Sequence, residues 1–154
     1  MKTLLTLITA VALLATDHLQ ANYTQEDVYI VASTILGEAR GEGSQGMLLV
    51  ADVIHTRMES NKWPNTAAEV CTQKSQFDGS HYIVPDWGTF EAIWATTLAE
   101  LLLLKKDPLP DRTYTHFWSG DCTPYWARHY PVYRYRNHNF IDTAGPKYHN
   151  HIVR

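Results

Sequence analysis

The sequence has two cysteines among 154 residues, no long basic run and a formal net charge of -3. Each scarcity excludes something. Without clustered Lys and Arg there is no surface to neutralise phosphates, so nucleic acid is not the expected partner. Two cysteines, Cys71 and Cys122, are too few and too far apart for a closed structural zinc site. No HExxH pattern is present, and His149 and His151 sit at the far C-terminus. Neither a metal nor an organic cofactor is expected. Repeats, low-complexity tracts and composition shifts are also missing, and the length suits one domain rather than two. The one long apolar run, Leu4 to Ala15, is shorter than the roughly 20 residues that a spanning helix needs.

That run has a different reading. Lys2 precedes it, Asp17, His18 and Gln20 break it, and Ala15 or Ala21 offers a small residue for cleavage. Residues 1–21 read as a secretory signal peptide, and Leu19 leaves an uncleaved membrane tether through residues 4–15 as the alternative. Residues 22–154 then form the mature domain. Export makes Cys71 and Cys122 candidates for one disulfide. Free thiols are the alternative, as is a Cys–His nucleophile pair with His116.

Hydrophobic residues make up 45% and aromatics 12%, with five Trp and nine Tyr. A core is therefore expected, and the aromatic surplus suits a groove that stacks sugar rings or bases. Thr24 before Glu26 and Asp27 marks a helix start. Val28, Val31, Ala32, Ile35 and Leu36 follow at helical spacing. A second helix from near Ser44 carries the stripe Met47, Val50, Ala51, Ile54 and Met58, with Asp52, His55 and Arg57 on or near its other faces. A short helix runs from Thr66 to Cys71. Residues 72–88 read as a long loop. Thr89 caps what reads as the longest helix, with a buried stripe of Phe90, Ile93, Trp94, Thr97, Leu98, Leu101 and Leu102. Beyond Asp111, Tyr114 to Trp118 and Val132 to Ile141 read as short strands or cover loops. The expected fold is α+β, mainly α, with a small β or loop-rich part.

The chemistry centres on Gly37-Glu38-Ala39-Arg40-Gly41-Glu42-Gly43, where an amphipathic helix meets glycines. A carboxylate there is rooted in a core and faces an opening. Glycosidic cleavage needs an acid that stays protonated near neutral pH, and apolar surroundings favour that form. Glu38, three residues after Ile35, fits best. The bland alternative is a helix-end Glu paired with Arg40. Glu42 and Asp78 are possible second carboxylates or solvated loop acids. Phe77, Tyr82, Trp87, Tyr114, Phe117, Trp118, Tyr125 and Trp126 either line a saccharide groove or pack as core and lid.

Gly37-Glu38-Ala39-Arg40-Gly41-Glu42, Gly46, Val50 to Ile54 and Arg57 together resemble the opening of the SleB-like cell wall hydrolases. Trp63-Pro64-Asn65-Thr66, Gln73 to Phe77, Thr115-His116-Phe117, Pro124 to Ala127 and Asn137 to Phe140 extend the resemblance over residues 28–140. It implies a compact lysozyme-like domain that cleaves between N-acetylmuramic acid and N-acetylglucosamine in peptidoglycan, characteristically as a lytic transglycosylase. Glu38 would be the catalytic acid and base. Gln76, Phe77, His116 and His138 would contact sugar, with Glu42 in support. The partner would be glycan strands outside the cytoplasm, and the domain a monomer. A hydrolytic muramidase and a non-catalytic saccharide-binding module are the alternatives. The chain departs from the usual pattern at Thr56, Trp118 and Tyr135-Arg136, positions that bear on substrate contact.

Overall fold

The computed structural model describes residues 22–77, 86–110 and 112–143. The expected signal segment, Asp78, Tyr82, His149 and His151 lie outside these residues.

Helix α1 spans Gln25–Ala39. Its start is a reciprocal cap. The Asp27 N–H donates to Thr24 Oγ1 at 3.1 Å, while the Thr24 N–H and hydroxyl donate to the Asp27 carboxylate at 2.7 and 2.8 Å. The buried face is the expected one, Val28, Val31, Ala32, Ile35 and Leu36, with Ala39 added. The helix runs through Gly37 and Glu38, continues as a 3-10 turn over Arg40–Glu42, and gives way to α2, Gly43–Met58. Gly43 has φ +71°, a conformation that suits glycine because it has no Cβ.

Helix α2 is the central element. Its predicted stripe packs with α1 into the main core. Leu49 and Val53, on the other side, join Tyr114 and Phe140 in a second cluster. This overturns the placing of Asp52 and Arg57 on outer faces. Both are buried, because α2 has a helical layer on one side and a sheet on the other.

The short helix α3, Ala67–Cys71, is capped by Thr66, whose hydroxyl accepts from the Glu69 N–H at 3.3 Å. Helix α4, Phe90–Leu103, has Thr89 as cap, as expected. At 14 residues it is shorter than α2 at 16, and its buried face differs from the predicted stripe. Ala92, Ala95, Leu98, Ala99 and Leu102 face the core, while Phe90 and Ile93 are exposed. Alanine lets α4 approach its neighbours closely, so close packing outweighs the side-chain hydrophobicity that guided the prediction. The helix ends in a Schellman motif, with the Lys105 N–H bonded to Leu102 O and the Lys106 N–H to Leu101 O.

Three strands follow: β1 (His116–Ser119), β2 (Tyr133–Tyr135) and β3 (His138–Ile141). They form an antiparallel sheet in the order β1-β3-β2, pairing Phe117 with Phe140 and Tyr133 with Phe140. Every residue of β3 is buried, as befits a central strand covered by α2. Arg136 turns the β2–β3 hairpin at φ 48°, a region that a side chain other than Gly, Asn or Asp enters at a cost.

The expected disulfide is absent. Cys71 and Cys122 are both free thiols. Cys71 closes α3 inside the main core, whereas Cys122 is exposed on the loop after β1.

Candidate active site

Glu38 occupies the last turn of α1, partly buried, between the buried Leu36 and Ala39. The helix therefore leaves it partly buried at the end of its core-facing stretch, as the apolar spacing before it implies. Its carboxylate and the Arg57 guanidinium both act electrostatically on the Cys71 thiol. The surrounding core dominates that thiol, and burial pushes it up to about 12.

Glu42 is not a solvated turn acid. It lies on the 3-10 turn and is 8% exposed. One carboxylate oxygen accepts the Asn137 N–H at 3.2 Å, and the other lies 3.8 Å from His138 Nδ1. The turn can sit this close because position 46 is glycine. A Cβ at Gly46 would fall 2.2 Å from the Glu42 Cβ. Arg136 reinforces the docking by donating to Gly41 O at 3.4 Å. Gly46 thus leaves room for the Glu42 side chain, and Gly43 faces the Arg136 guanidinium of the β2–β3 hairpin.

His138 is buried, and its Nδ1 has no hydrogen-bond partner. Burial lowers its pKa, partly opposed by Glu42. Its ring meets Phe117 edge-on at 5.4 Å. Phe117 in turn lies 6.3 Å from Phe77. Phe77 is 2% exposed, so the residue expected to touch sugar is a core residue supporting the cluster from behind. Gln76 is exposed at the start of the loop, where its N–H donates to Gln73 O.

His116 is half-buried on β1. Its Nδ1 pairs with Thr115 Oγ1 at 3.0 Å, and its ring lies between Trp63 at 5.7 Å and Trp126 at 5.5 Å. Burial, then Arg57 and Lys62, lower its pKa. The structure thus gathers Glu42, His138, Phe117 and Phe77 into one cluster and His116 with its tryptophans into another.

Two residues that join these clusters were given no role in the sequence reading. Arg57 donates through Nε to Thr115 O at 2.9 Å, and its guanidinium carbon lies 5.5 Å from the Trp63 ring and 5.1 Å from Phe77. Burial depresses it to about 10. Its signal was available, since Val50, Ile54 and Arg57 fall at i, i+4 and i+7 on the inward stripe. Trp63 had no such signal outside the resemblance.

The aromatic set divides. Tyr114 is core, stacked on Tyr133 at 5.6 Å, and Trp87 is exposed beside Tyr29 of α1. Trp118 is partly buried, and Tyr125 and Trp126 are exposed. Among the described residues, no three His, Cys, Asp or Glu side chains gather as a metal-holding group.

The pattern of a family described as cell wall hydrolase matches residues 41–141. The match begins just past Glu38. The spore cortex-lytic enzyme of Bacillus cereus is 37% identical over 68 residues, covering 42% of this chain and 26% of that enzyme. Its counterpart from Bacillus subtilis strain 168 is 31% identical over 80 residues, covering 49% and 26%. The chain thus spans about a quarter of the length of these curated relatives. Among solved structures, the catalytic domain of the germination-specific lytic transglycosylase SleB from Bacillus anthracis superposes with a TM-score of 0.60 at 27% identity. That superposition covers 79% of this chain and 98% of the other. The Bacillus cereus SleB catalytic domain gives 0.60 at 26% identity, over 79% and 93%. These neighbours share the lysozyme-like α+β fold expected from the sequence.

Proposed function

The chain belongs to the cell wall hydrolase family, and from that premise we propose that it is a peptidoglycan-cleaving enzyme acting as a lytic transglycosylase through Glu38. The observation that carries this is the position of Glu38, partly buried at the C-terminal end of a core helix, in a fold matching almost the whole SleB catalytic domain. In this reading Glu38 gives its proton to the oxygen linking N-acetylmuramic acid to N-acetylglucosamine. The C1–O bond breaks, and the muramyl 6-hydroxyl bonds to C1. Glu38 takes the proton released by that hydroxyl, so the acid is regenerated and no water is consumed.

The surroundings of Glu42 support a single-carboxylate mechanism. A water-activating partner must be free to reach water, but the oxygens of Glu42 face Asn137 and His138. Glu42 holds the hairpin in place, and Gln76 and His116 orient sugar, with the buried His138 and Phe77 packed behind them. Because the substrate lies outside the cytoplasmic membrane, residues 1–21 serve as export signal or tether, and the domain acts on the wall as a monomer.

Purified peptidoglycan incubated with wild type should release soluble muropeptides. Glu38→Gln should lower the rate at least ~100-fold, the usual scale for loss of a general acid, with the melting temperature nearly unchanged. Release persisting in that variant moves the chemistry elsewhere. No release by wild type would favour a binding module.

A further inference from the structure

Two surface features meet at Trp63. The first is a ridge of rings: Trp63, His116, Trp126 and Trp118, with successive centroids 5.7, 5.5 and 5.9 Å apart. The ridge is braced from beneath. Trp63 rests against the main core and the Arg57 guanidinium. The 3-10 turn Tyr125–Ala127 is pinned by Ala127, which is fully buried. His116 is tied to Thr115. Despite this bracing, Trp126 stays 49% exposed. Single exposed apolar residues need no explanation, but a fixed row of large rings that includes an open indole marks a binding surface.

The second feature is an open hollow of about 610 Å³ between the end of α2 and the start of α3. Its lining mixes the apolar Trp63, Met58 and Pro64 with the polar Ser60, Asn61, Asn65, Glu59 and Glu69. A hydroxyl, two amides and an indole in one hollow are the complement of a pyranose, which has apolar C–H faces and a rim of hydroxyls. The two carboxylates disfavour a phosphate chain. The density of polar groups disfavours an apolar helix or a lipid surface.

We infer that ridge and hollow form one saccharide-binding surface, holding the glycan strand at sugar units beyond the bond that is cut. Sugar faces stack on Trp126 and Trp63, and hydroxyl and acetamido groups bond to Ser60, Asn61 and Asn65. The inference rests on the proposed peptidoglycan substrate. The surface is braced against the Glu42–His138 cluster through buried groups, because Arg57 lies over both Trp63 and Phe77, and Phe77 leads to Phe117 and His138. A single acid needs such distal contacts, since binding energy from remote sugar units is what positions the scissile bond.

The test is co-sedimentation with purified insoluble peptidoglycan, using the full chain carrying Glu38→Gln so that no turnover occurs. Adding Trp126→Ala should raise the half-saturating peptidoglycan concentration about three- to tenfold, the scale of one lost aromatic contact. Trp126→Tyr should restore most of the binding, which a purely structural role would not require. Asn65→Ala, on the exposed rim of the hollow, should weaken binding in the same direction. Unchanged binding in both alanine variants overturns the surface, and wild-type release of muropeptides would then leave the proposed function standing. If wild type releases nothing while Trp126→Ala still binds more weakly, the surface stands and the catalytic reading falls.

Discussion

At the scale of single residues, burial decides which charges matter. Asp52 is fully buried on α2. One oxygen accepts the Tyr114 N–H at 3.0 Å and the other has no partner. Burial, only partly offset by that hydrogen bond, raises its pKa to about 7. The folded state therefore favours the protonated form more than the unfolded state does. This contribution is fully present below the ordinary carboxylate range and is lost as pH rises through about 7. A shift of this size corresponds to about 4 kcal/mol. Burial depresses His116 and His138, which pull the other way, losing stability as pH falls below the ordinary histidine range. The difference between wild type and Asp52→Asn isolates the carboxyl. The melting temperature of the variant should gain on wild type steadily from pH 4 to 8, and parallel curves would contradict the buried-carboxyl account. The thiols offer a second check. Cys122 is exposed, whereas Cys71 is buried and pushed up to about 12. A thiol reagent at neutral pH should label Cys122 on the native protein and Cys71 only after unfolding. Native protein that resists labelling at both positions, and yields a Cys71–Cys122 peptide without reductant, would restore the disulfide.

At the scale of elements, the junction of α1, the 3-10 turn and α2 shows how glycine spacing becomes site geometry. Gly46 leaves room for Glu42, and Glu42 holds the N–H of Asn137. Gly46→Ala forces carbon against carbon at the first turn of α2. It should cost ~1–3 kcal/mol, as overpacking does, read as a melting temperature lower by roughly 3–10 °C. An unchanged melting temperature would mean that Glu42 moves aside freely. The cap of α1 and the stripes of α1 and α2 were legible because Thr24 and the apolar residues obey local spacing rules. The α4 face was not, because Ala92, Ala95 and Ala99 are chosen for closeness rather than for hydrophobicity. Asp52 was misplaced for a related reason: nothing local reveals that a helix is covered on both sides. The partnership of Glu42 with His138 spans 95 residues to the adjoining Asn137, a distance that no periodicity reports.

At the scale of the whole molecule, a helical layer and a three-stranded sheet enclose α2. The α1–α2 junction and the β2–β3 hairpin meet at Glu42. The α+β class was readable from the sequence, because core helices leave strong patterns. The tryptophan ridge was readable only as a surplus of aromatics, since its parts come from the α2–α3 loop, β1 and the 3-10 turn. The central claim is that Glu38 acts alone, as acid and then as base, at the end of a core helix. Mass spectrometry of a peptidoglycan digest tests it most directly. The account predicts that wild type releases fragments ending in 1,6-anhydromuramic acid and that Glu38→Gln releases none. Reducing muramic ends from wild type, or anhydro ends persisting with Glu38→Gln, would contradict it.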